Sequence, residues 1–103
     1  MKPGSKDFAY PFLITGLELE ELQRFAWTMT ESFGLDKRIY AYRGTRPIGL
    51  YRWDIELICD VIESALVDRK AYPHLNGRGH EALVRLQARI TALRDEAFAD
   101  MRG

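Results

Sequence analysis

Apolar residues recur at helical spacing in three stretches of the chain. Leu19, Leu22, Phe25, Ala26, Met29 and Phe33 make the first stripe. Thr15 and Glu18 ahead of it fit a capping box, and Gly34 behind it suits a helix C-cap. The spacing predicts a helix over 16–33. Tyr51, Ile55, Ile58, Ile62, Ala65 and Leu66, widened by Leu57 and Cys59, predict a second helix over 50–69. Tyr72-Pro73 closes it, because the residue before proline is pushed out of helical geometry. A third helix follows the turn-forming Asn76, Gly77, Arg78 and Gly79 and runs almost to the C-terminus on Leu83, Leu86, Ile90, Leu93 and Ala97. Two heptads are too few for a free coiled coil, so this seam is expected to pack on the other helices.

Strand signals are shorter. Residues 38–43 are rich in β-formers (Ile39, Tyr40, Tyr42), and residues 46–50 are placed to pair with them across Gly44-Thr45, a loop suited to a type II′ turn. Pro47 lacks an N–H and confines that partner to an edge. Residues 8–14 form a further extended apolar stretch, interrupted by Pro11, that offers a third strand. The expected fold is α+β and mostly helical: three helices packed on a short β-hairpin or small antiparallel sheet. Residues 1–103 are read as a single domain, with 1–7 flexible.

Composition agrees with a globular domain: 103 residues, 47% apolar and 29% charged. Cys59 is the only cysteine, which excludes an internal disulfide or a multi-cysteine zinc site. No apolar run approaches the ~20 residues of a membrane span, and residues 1–7 open no signal peptide. A soluble, cytoplasmic protein is the expectation, with no membrane partner.

Fifteen bases balance fifteen acids, but the charges fall in blocks. Residues 36–53 hold Lys37, Arg38, Arg43, Arg46 and Arg52 against Asp36 alone, whereas residues 54–68 hold Asp54, Glu56, Asp60, Glu63 and Asp68 and no base. The basic block interleaves arginines with Tyr40, Tyr42, Tyr51 and Trp53, a combination suited to phosphates and unpaired bases. Against this stands a sequence pI of about 6.7, where nucleic-acid domains are basic. Glu56, Asp60 and Glu63 share one helix face, and the plain reading makes them a solvated row or partners of Arg85 and Arg89 on the third helix.

Catalytic patterns are absent. Gly77, Gly79 and Ala82 fit G-x-G-x-x-[GA], but no strand precedes them and no βαβ unit follows. A weaker anion site at that helix start, helped by Arg78 and His80, remains an option. Cys59 lies in an apolar stripe and reads as core, and His74 and His80 share no helix face. No cofactor, metal or catalytic residue is expected, and the balance is against an enzyme. Trp27, Trp53 and Val84 fall off the buried stripes of their helices and are candidate interface anchors. The leading expectation is therefore a small interaction or regulatory module, meeting a protein partner or itself as a homodimer. The alternative is a nucleic-acid or phosphate-ligand module using Arg38, Tyr42, Arg43, Arg46 and Arg52.

Overall fold

A computed structural model of the chain describes residues 9–29, 34–73 and 77–102, the side chains of 100–102 excepted. The order is strand β1 (Tyr10–Phe12), helix α1 (Gly16–Arg24), a 3-10 turn (Ala26–Thr28), helix α2 (Leu35–Ala41), strand β2 (Ile48–Leu50), helix α3 (Arg52–Leu66) and helix α4 (Arg78–Arg102). The fold is α+β and mostly helical, with four α-helices among the described residues where the periodicity predicts three. The segment 1–7, expected to be flexible, lies outside the described residues, as do Phe33, His74 and Asn76.

The additional helix, α2, replaces the expected strand at 38–43. Leu35 and Ile39 are fully buried, while Lys37 and Ala41, which a strand would place on the same face, are exposed. Burial at every fourth position therefore overrides the β-preference of Ile39 and the tyrosines. The side-chain amide of Gln23 donates to the carbonyls of Ile39 (3.1 Å) and Tyr42 (3.2 Å), satisfying acceptors where α2 ends. The bend that follows is built on Gly44, whose φ is +73°. A Cβ there would stand 2.9 Å from the Ile14 carbonyl oxygen, so conformation and space both require glycine.

β2 consequently pairs not with residues 38–43 but with the N-terminal stretch. β1 and β2 are antiparallel, with Tyr10 opposite Leu50, Pro11 opposite Gly49 and Phe12 opposite Ile48. Both strands of a two-stranded sheet are edges, so Pro11 costs no ladder bond on its outer side. Pro47 sits just ahead of β2.

α1 is shorter than the predicted 16–33. After Arg24 the chain tightens into the 3-10 turn, with Thr28 N donating to Phe25 O (3.0 Å) and Met29 N to Ala26 O (2.9 Å). Leu19, Leu22, Ala26 and Met29 all stay buried through this change of pitch. Thr15 makes no side-chain capping bond, and the Glu18 carboxylate accepts from Arg89 instead of completing the box. Gly34, expected to cap the end of the first helix, is instead the N-cap of α2, in a left-handed conformation with φ +78°.

α3 and α4 follow the sequence closely. Ile55, Ile58 and Ile62 face Leu83, Leu86 and Ile90 in one continuous core that also takes in Ile14, Leu22, Leu35, Ile39 and Leu50. α4 packs chiefly on α3 and α1, which accounts for its heptad-like seam. No helix among the described residues is long and apolar enough to cross a membrane.

Candidate functional site

The basic segment is divided by the fold. Arg38 points inward from α2: one guanidinium nitrogen donates to Asp54 Oδ2 at 2.9 Å and the other to the Gly49 carbonyl. Asp54 is fully buried at the start of α3, and the same oxygen accepts the Tyr51 amide at 3.0 Å. Tyr42 is half-buried, its hydroxyl donating to the Arg46 carbonyl and accepting from Ile14 N. Arg52 lies over the Trp53 ring, 5.9 Å from its centroid. Arg43 and Arg46 are exposed and meet no carboxylate among the described residues. Arg38 and Tyr42 are thus engaged inside the molecule, and Arg43 and Arg46 extend from the loop between α2 and β2.

The three aromatic and aliphatic candidates sit on three different elements. Trp53 is half-buried at the N-terminus of α3, stacked on Tyr51 with ring centroids 4.9 Å apart and planes 10° from parallel. Val84 is exposed on α4. Trp27 differs from both: it projects from the 3-10 turn with 68% of its surface exposed. It stands at the lip of an open groove of about 440 Å³ between that turn and the second half of α3. Phe25, Val61 and Ala65 supply the groove's apolar surface, and Asp60 and Ser64 on α3 and Asp68 just beyond it form the edge. Arg24 forms part of the opposite wall and is held by Glu21 at 2.7 Å. Neither Trp53 nor Val84 lines it.

The tight turn explains Trp27's exposure. Ala26 and Met29 face inward at a spacing of three, the repeat of a 3-10 turn, which leaves Trp27 and Thr28 on the outside. Val67 is exposed as well, seven residues after Asp60 and so on the same face of the helical path. Glu56, Asp60 and Glu63 occupy that face too, and none of them is paired with a base among the described residues. The expected partners Arg85 and Arg89 turn instead to Glu18 on α1, at 4.0 and 2.9 Å. α1 is the neighbour on that flank of α4, and Arg89 also donates to the Leu13 carbonyl and lies 4.8 Å from the Phe12 ring centroid. No group of three metal-binding side chains converges among the described residues.

The start of α4, where the sequence suggests an anion site, is faced by the protein's own carboxylate. A Cβ on Gly79 would come within 2.8 Å of the Glu21 carboxyl group, which therefore lies directly against the first turn. Glu21 is buried, accepting the Tyr72 hydroxyl at 2.6 Å and Arg24 at 2.7 Å. Burial, followed by this bond to Glu21, pushes the Tyr72 hydroxyl well above the usual tyrosine pKa. His80 packs edge-on against the Tyr72 ring, with 5.5 Å between centroids. The element that precedes this turn is helix α3 and not a strand, so the G-x-G-x-x-A spacing lacks its dinucleotide context. Cys59 is buried in α3, and burial raises its thiol pKa, the opposite of what a nucleophile needs.

Glu21 is the residue that sequence reasoning missed. An acid beside an apolar stripe carries no mark of burial, and its partners Tyr72 and Gly79 lie more than fifty residues away. No protein-family model matches the chain, and comparison with curated proteins and with solved structures finds no significant relative.

Proposed function

We propose that this chain is a protein-interaction module that receives an apolar anchor of its partner in the groove between the 3-10 turn and α3. The single observation that carries the reading is Trp27, 68% exposed at the lip of an apolar recess. Leaving an indole in water forgoes the stabilisation that burial of so large an apolar side chain provides. Tryptophan is also among the residues that dominate binding energy when a partner covers them. The recess lies within the volume range of ordinary ligand sites, though its open shape suits a side chain of a protein better than an enclosed small molecule. The phosphate-binding alternative is less well supported, since Arg38 already serves Asp54 and Tyr42 serves the Arg46 carbonyl.

Selection of a random peptide display library on the immobilised chain tests the reading. Enriched peptides should bind in solution, and Trp27→Ala should weaken them by about tenfold or more, the range of a hot-spot truncation. Trp27 is exposed, so this variant should fold normally, which circular dichroism checks. Failure to enrich any peptide, or equal binding by Trp27→Ala and by Ala65→Arg, would overturn it.

A further inference from the structure

We infer that the occupant of the Trp27 groove is a second copy of this chain, presenting the outer face of α2. The inference rests on the groove being a docking site. Two faces of one molecule carry it. On α2, Lys37, Tyr40 and Ala41 stand at i, i+3 and i+4 and are all exposed, with Tyr40 54% accessible and exposed Arg43 two residues beyond the helix end. The groove is edged by Asp60 on α3 and by Asp68 just past its end, and Glu56 and Glu63 continue the acidic row on α3. One face is an aromatic with Lys37 and Arg43 beside it and Asp36 as the one acid, and the other is an aromatic-lipped recess with anions along one side and Arg24, already held by Glu21, on the opposite wall.

No ion pair joins these two faces within a chain: Lys37, Arg43 and Arg46 meet no carboxylate, and Glu56, Asp60 and Glu63 meet no base, among the described residues. The complementarity is therefore unused within the chain and available to a second copy. Opposed charge patches favour encounter and fix its orientation. Zero net charge removes the long-range repulsion that would otherwise hold copies apart. Tyr40 suits the role of anchor, since its ring is apolar and its hydroxyl stays wet. One face of a seven-residue helix against one groove makes a small contact, so association should be weak and concentration-dependent. Reciprocal engagement of the two faces closes a dimer, whereas one-sided engagement propagates.

Sedimentation equilibrium from about 10 µM to about 1 mM at low salt is the test, this being the window for small interfaces. The weight-average mass should rise above that of one chain, and the rise should shrink as salt screens the pairing. Trp27→Ala, or Lys37→Glu with Arg43→Glu, should each weaken association by about tenfold or more. Combining Lys37→Glu and Arg43→Glu with Asp60→Lys and Glu63→Lys should restore it, which a merely unfolded variant could not do. Mixing Trp27→Ala chains with Lys37→Glu/Arg43→Glu chains should give one-to-one complexes, because one intact contact remains. A single-chain mass at every concentration overturns the inference, as does association indifferent to these changes or a charge reversal that rescues nothing. If the chain stays single while display peptides still bind at Trp27, the second copy is refuted and the docking site stands. If neither occurs, both fall.

Discussion

The guanidinium of Arg38 meets Asp54 at 2.9 Å, and the carboxylate it meets is sealed from solvent. Because Arg38 also holds the Gly49 carbonyl, and Asp54 the Tyr51 amide, one pair fastens α2 to β2 and to the first turn of α3. Removing the cation from a buried carboxylate is costly even where the pair itself is worth little. Arg38→Ala should lower unfolding free energy by about 2–4 kcal/mol, below the top of the range because Arg38 is itself partly exposed. Arg38→Lys should recover only part of this, since an ammonium lacks the fork that serves two acceptors at once. Urea titration with an unchanged slope measures both. A loss below about 0.5 kcal/mol for the alanine variant would show the pair to be peripheral.

Gly79 and Glu21 form the second coupled pair. In an open helix Gly→Ala stabilises by up to about 1 kcal/mol. Here the added methyl would stand 2.8 Å from a carboxyl group that is itself held by Tyr72 and Arg24. Gly79→Ala should therefore destabilise by about 1 kcal/mol, through displacement of Glu21 from its bonds. In a Glu21→Ala background the same change should turn neutral or stabilising. That reversal, read from a double-mutant cycle in urea, distinguishes a steric conflict with Glu21 from a general intolerance at the turn.

Most of the helical frame was legible in the sequence, because α3 and α4 repeat their apolar residues over many turns and bury them on one another. The 35–41 helix was not, since seven residues give periodicity little to work on and Ile39, Tyr40 and Tyr42 favour strands locally. Tertiary burial of Leu35 and Ile39 decided it. With that segment helical, β2 had to find its partner in Tyr10–Phe12, the stretch the sequence offered only as a third strand. The site was partly legible. Trp27 stands out because it falls off its stripe, but the groove beside it exists only through the packing of the 3-10 turn on α3. The destination of Arg85 and Arg89 was hidden for the same reason, as sequence does not say whether α1 or α3 lies on that flank of α4.

Those two arginines should differ measurably. Arg89 combines the 2.9 Å bond to Glu18 with the Leu13 carbonyl and the face of Phe12, tying α4 to the segment between β1 and α1. Arg85 is more exposed and only 4.0 Å from Glu18. After allowance for solvent screening at a side chain 44% accessible, Arg89→Ala should cost about 0.5–1 kcal/mol and Arg85→Ala close to nothing. Thermal unfolding in low and high salt measures both, and the Arg89 effect should fall only in part as salt rises, because its packing against Phe12 is not screened. Equal effects would mean that general charge, not this geometry, is being read.

The Tyr72 hydroxyl gives the fold an alkaline limit. Its pKa is raised above the ordinary 10.0, first by burial and then by donation to Glu21. Below about pH 10 the phenol is protonated in both folded and unfolded chains, so its contribution to stability is fully present. Above that value the unfolded chain releases the proton while the folded one retains it, and stability falls as pH rises towards the folded pKa. Tyr72→Phe should lose about 1 kcal/mol at neutral pH, where Glu21 forfeits a hydrogen bond. The same variant should show a shallower decline above pH 10, so the two unfolding curves converge as pH increases. Denaturant midpoints at pH 7, 9, 10 and 11 check this. Parallel curves over that range would mean that Tyr72 ionises as freely in the fold as in the open chain, and that its bond to Glu21 is not the one described.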